Sequence, residues 1–102
     1  MDAYQRAHKA LCVYGDMKRA RVTGGEKTQA FMGQINAALA HLTTEELLTV
    51  QSLYIMQMTQ EAAAEALECD PRTIARRKQR AIDWLALYLY PDQYLQDKIM
   101  QG

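Results

Sequence analysis

Residues 59–89 read TQEAAAEALECDPRTIARRKQRAIDWLALYL, and the fold turns on how this stretch divides. Thr59 is a suitable cap for a short helix through Ala62, Ala63 and Ala64 to Leu67, because its hydroxyl can accept from an orphan amide of the first turn. A brief break follows at Glu68 and Cys69. Asp70-Pro71 then makes a second start signal: aspartate caps the helix, and proline at the first helical position lacks only an amide hydrogen that had no partner anyway. Pro91 stops that helix, which is predicted to run from Pro71 to about Leu89. At about 100° per residue, Ile74, Ala81, Leu85, Tyr88 and Leu89 gather on one side with Ile82 at its edge, which marks a core face. Arg72, Arg76, Gln79 and Arg80 gather on the opposite side, bordered by Thr73.

A short helix, a turn and a longer two-faced helix is the layout of a helix-turn-helix, whose second helix enters the major groove of DNA. Guanidinium groups one turn apart suit that groove, since arginine can grip guanine edges bidentately and also neutralise phosphate. Arg72, Thr73 and Arg76, nearest the amino end, are expected to contact bases. Arg77, Lys78 and Arg80 are expected to contact phosphates, and Gln79 shares the donor face. Residues 71–80 hold five basic side chains and no acid, so a chain whose 12 basic and 12 acidic residues cancel still carries a concentrated positive patch. Glu61, Glu65, Glu68 and Asp70 precede it, and the competing expectation is a solvated face on which the arginines pair with these acids.

Outward from this stretch the chain reads as helix throughout. Thr43-Thr44-Glu45-Glu46 is a capping box that starts a third helix carrying Leu47, Leu48, Val50, Leu53, Tyr54 and Ile55 and ending near Gln57. Phe31, Ile35, Ala38, Leu39 and Leu42 define a second helix over 26–42. Tyr4, Ala7, Leu11, Tyr14 and Met17 or Lys18 form the apolar stripe of a first helix, which Thr23-Gly24-Gly25 ends or links to the next. That stripe could pack on the third helix or pair with its copy in a homodimer, and the residues do not choose. After Pro91 the chain is expected to form a short docking helix or a frayed tail. The expected fold is all-α, one helical domain over 1–102 with about five helices: 1–42 for packing or dimerisation, 43–90 for the helix-turn-helix, 91–102 as tail.

With 49% hydrophobic and 24% charged residues in 102, the composition is that of a folded domain. Cys12 and Cys69 stand far apart without metal-ligand spacing, so no metal is expected and both thiols read as reduced. His8 and His41 are read as lacking cysteine or carboxylate neighbours at catalytic spacing, and the carboxylates are scattered. No enzyme and no cofactor are expected. Thr23 to Thr28 superficially suggests a phosphate-binding loop but lacks its spacing and strand. Met17, Met32, Met56 and Met58 read as core filler. Trp84, Tyr54 and Tyr88 read as core or rim residues rather than base-stacking platforms. No signal-peptide core or membrane-length apolar run is present, so a cytoplasmic protein with no membrane partner is expected.

Leu42 to Glu46, Val50, Leu53 to Ile55, Thr59 to Leu67 and Thr73 to Leu85 together resemble region four of sigma factors, the promoter-reading module of bacterial transcription. The short chain is also similar to small phage-encoded regulators of late transcription of the ArpU and RinA type. The resemblance spans 42–89 and implies double-stranded DNA as partner, with RNA polymerase as a second. It differs at Glu68, where the family usually has glycine, at Ala63, where it has a large aliphatic, and at Lys78, where it has an apolar residue. A turn without glycine is expected to stay right-handed at Glu68. The sequence thus points to a sequence-specific DNA-binding transcription regulator. The alternative is an adaptor that binds RNA polymerase or another regulator through Tyr4, Leu11 and the surface from Trp84 to Tyr90, without reading DNA.

Overall fold

The computed structural model describes residues 1–101, and Gly102, the last residue of the expected tail, lies outside them. The described chain is all-helical: α1 (Ala3–Ala20), α2 (Glu26–Leu39), α3 (Thr44–Val50), α4 (Gln60–Ala66), α5 (Pro71–Leu89) and α6 (Pro91–Gln101), with a π-helical segment Gln51–Ile55 directly after α3. That is one α-helix more than expected, because the residues after Pro91 continue as α6. No helix is long and apolar enough to cross a membrane among the described residues.

The start signals act as their chemistry requires. Asp2 and Thr43 both make capping boxes, with Gln5 and Glu46 reaching back to the cap amides. Thr59 caps α4 by accepting from the Ala62 amide at 3.1 Å. Asp70 caps α5 by accepting from the Arg72 amide at 2.8 Å, with Pro71 at the first helical position.

Helix α5 is the hub, touching every other α-helix. Its buried residues are Ile74, Ala81, Ile82, Leu85 and Ala86, so the inward face is centred slightly further toward Ile82 than the periodicity suggested. Tyr88 consequently falls outside it and is 40% exposed, a correction to the expected core face. Met56, expected as filler, is 67% exposed because it lies just past the π-helical segment, where the chain turns away from the core.

The α1 stripe packs within the chain. Ala7, Leu11 and Tyr14 are buried in the main core with Ile35, Val50, Tyr54, Ile82 and Leu85. The helix lies on α5 and the π-helical segment rather than on α3, so the buried part of this stripe is used within the chain. Its closest approach is at Gly15, where an added Cβ would stand 2.0 Å from the Tyr54 carbonyl oxygen. The wide π-helical turn is held there by Arg19, whose Nη1 donates to the carbonyls of Tyr54 (2.6 Å) and Ile55 (3.0 Å). A second, smaller core joins α4 to α5: Ala63, Ala64 and Ile74, with Leu53, Met58, Leu67 and Cys69 around them.

Candidate nucleic-acid interface

The connection from α4 to α5 sets the direction of α5. Leu67 closes α4, the Cys69 amide bonds back to Ala64 O at 2.9 Å and the Glu68 amide to Glu65 O at 3.3 Å, the reciprocal pair of a Schellman C-cap. That motif requires a left-handed residue, and Glu68 supplies it with φ 54°. The right-handed turn expected here is therefore corrected: the turn is the left-handed one that glycine makes freely, and Glu68 bears a strain that glycine would not.

From this turn α5 projects Arg72, Arg76, Gln79 and Arg80 outward, all exposed, with Thr73 half-buried at the border. Among the described residues the ion pairs are Arg19 with Asp16 and Lys98 with Asp83, so none of these arginines is paired with Glu61, Glu65, Glu68 or Asp70. The cations face solvent. Arg77 sits on the flank, its Nη1 turned back to Cys69 Sγ at 3.8 Å. Lys78, expected to contact phosphate, is turned away from the row: it is half-buried and lines a pocket with His8, Cys12, Tyr54 and Gln60. The helical period explains this, since residue 78 follows Ile74 by about one turn and so shares its side of the helix.

Three features of this neighbourhood escaped the sequence reading. His8 Nε2 lies 3.8 Å from Cys12 Sγ, so the histidine does have a cysteine neighbour. The signal was present in the four-residue spacing, which stacks two side chains on one helix face. The other ring nitrogen, Nδ1, is 2.7 Å from the Tyr54 hydroxyl. Burial pushes that hydroxyl far up in pKa and so keeps it protonated, while burial and then Lys78 pull His8 below its ordinary 6.5. Buried and bonded to His8, Tyr54 is no base-stacking platform.

The second feature is α6, which brings Lys98 to the row's C-terminal end. Arg76, Gln79, Arg80, Asp83 and Lys98 surround one shallow pocket of about 400 Å³. Nothing in the local sequence at 91–101 announces this, because it depends on long-range polar contacts that seat the helix. The third is an aromatic group at the junction of α2 and α3: His41, Trp84 and Tyr88 have ring centroids 5.4 to 6.2 Å apart. Trp84 is anchored by its Nε1, which donates to Ala38 O at 2.9 Å. Cys12 and Cys69 are free thiols, both half-buried.

Compared with known proteins, the chain matches no family model, no curated protein and no solved structure.

Proposed function

We propose that this chain is a sequence-specific DNA-binding transcription regulator rather than an enzyme, in which α4, the turn at Glu68 and α5 act as a helix-turn-helix and α5 enters the major groove. The observation that carries this reading is the row Arg72, Arg76, Gln79 and Arg80, exposed and unpaired along the first half of a helix whose opposite face is locked into the core. Arg72, Thr73 and Arg76 lie nearest the capped end and would meet base edges. Arg80 and Arg77 would meet phosphates on either side. Lys78, turned toward His8, has no part in the contact.

Selection of bound sites from a random duplex library, followed by affinity measurement on the winning site, tests this. Arg76→Ala is expected to lower affinity by about 1–3 kcal/mol and to relax preference at one position, while Lys78→Ala leaves affinity unchanged. No measurable binding to any duplex at low salt, where phosphate attraction is strongest, would sink the proposal.

A second reading, an adaptor for RNA polymerase or another regulator, rests on the aromatic group of His41, Trp84 and the exposed Tyr88. Of the surface first expected for it, Leu11 is fully buried and has no access to a partner. Capture of polymerase from nuclease-treated lysate, lost on Tyr88→Ala and kept in an Arg72→Ala/Arg76→Ala variant, would favour it.

A further inference from the structure

The geometry points to a phosphate-binding site shared between α5 and α6, in which Lys98 joins Gln79 and Arg80, beside the base-reading Arg76, to hold a backbone phosphate of the duplex. This rests on the reading of α5 as the DNA-contacting helix and adds to it an element that lies outside the helix-turn-helix.

Asp83 is where the argument starts. It follows Arg76 by about two turns on the same outward face of α5, so a duplex lying along that face would meet a carboxylate where it needs a cation. Two groups of α6 counter it. The Tyr94 hydroxyl donates to Asp83 Oδ2 at 2.9 Å, and Lys98 Nζ stands 3.8 Å from Oδ1. Lys98 also lies 5.3 Å from the Tyr94 ring centroid, so the aromatic face helps fix where the ammonium sits. Three cations then face one carboxylate around the pocket, with the Gln79 amide as a further donor.

The helix that delivers Lys98 is fixed at several points. Asp97 Oδ2 accepts from the Ala3 amide at 2.8 Å, Gln93 Nε2 donates to Met1 O at 2.8 Å, and Gln93 Oε1 accepts from Arg6 Nη1 at 2.6 Å. These contacts hold α6 in one register against the start of α1. An oxyanion in the pocket therefore meets donors from two helices already in place, and a phosphodiester, singly charged with two free oxygens, matches that donor set. Each such contact displaces about one condensed counterion from the duplex.

The test is equilibrium binding of the full chain to a mixed-sequence duplex as NaCl is raised. Lys98→Ala is expected to weaken binding about 5-fold at low salt and to reduce the slope of log K against log salt by about 0.9. Asp83→Asn, which keeps an acceptor for Tyr94, is expected to tighten binding. Inorganic phosphate serves as a competitor: displacement of the wild-type chain but not of Lys98→Ala marks an oxyanion pocket that accepts phosphate off the duplex as well, and no displacement of either marks a site that needs the polyanion. Lys98→Ala binding with unchanged affinity and slope, while Arg76→Ala and Arg80→Ala bind weakly, would overturn the α6 contribution and leave α5 as the DNA helix. Failure of the wild-type chain to bind any duplex would remove both.

Discussion

Single residues in this fold bear unusual conformations without glycine, and Glu68 is the clearest. Its φ of 54° costs an L-residue on the order of 1–2 kcal/mol, a penalty that glycine escapes at the expense of about 0.5–1 kcal/mol of chain entropy. Glu68→Gly is therefore expected to raise stability by about 0.5–1 kcal/mol, read as a higher urea midpoint with an unchanged m-value. Gly15 is the reverse case. A methyl group there would collide with backbone, not with a flexible side chain, so Gly15→Ala should cost about 2–4 kcal/mol by forcing α1 off the π-helical segment.

His8 supplies a pH dependence. Its pKa in the fold is lowered, first by burial and then by Lys78, so the unfolded chain binds the proton more tightly. Stability from this group is full above the ordinary value of 6.5 and is lost as pH falls from there through the lowered folded value. Thermal melts from pH 8 downward are expected to show this decline, and His8→Gln should flatten it. An equal decline in both proteins would place the titrating group elsewhere.

At the scale of elements, what could be read in advance was what is local. Pro71–Leu89 was legible at both ends because proline and aspartate act on the residues beside them, and the capping box at Thr43 was legible for the same reason. Other features answer to distant residues. The π-helical segment exists where Gly15 and Arg19 of α1 meet its carbonyls, and no pattern within residues 51–55 encodes that. The seat of α6 depends on Met1, Ala3 and Arg6. Of the expected site, the row of Arg72, Arg76, Gln79 and Arg80 kept its face because helical period decides it, and Lys78, expected to contact phosphate, faces away from that row for the same reason. The cap of α5 belongs to this scale too. Asp70→Ala is expected to cost about 1 kcal/mol and to weaken duplex binding even though it removes a negative charge, because the first turn presents Arg72. Removing a carboxylate alone should strengthen binding, so the sign of the change separates the two effects.

For the molecule as a whole, net neutrality conceals a separation of charge. Unpaired acids stand on α4 and its turn and unpaired arginines on α5, so general attraction to polyanions is expected to be modest and to depend on orientation. The division of the core matters as much. The main cluster ties α1, α2, α3 and α5 together, whereas α4 is fastened through a handful of side chains in which two alanines and Ile74 are the buried members. Alanines bury little area, so most of that attachment is Ile74 and the side chains around it. Amides of α4 should accordingly exchange with solvent deuterium well before those of α1 or the second half of α5, by breathing motions that leave the rest intact. On the proposed function, such a chain would reach its target with one helix rigid and its neighbour able to loosen, so that part of the binding energy would go into ordering a segment that fluctuates in the free protein.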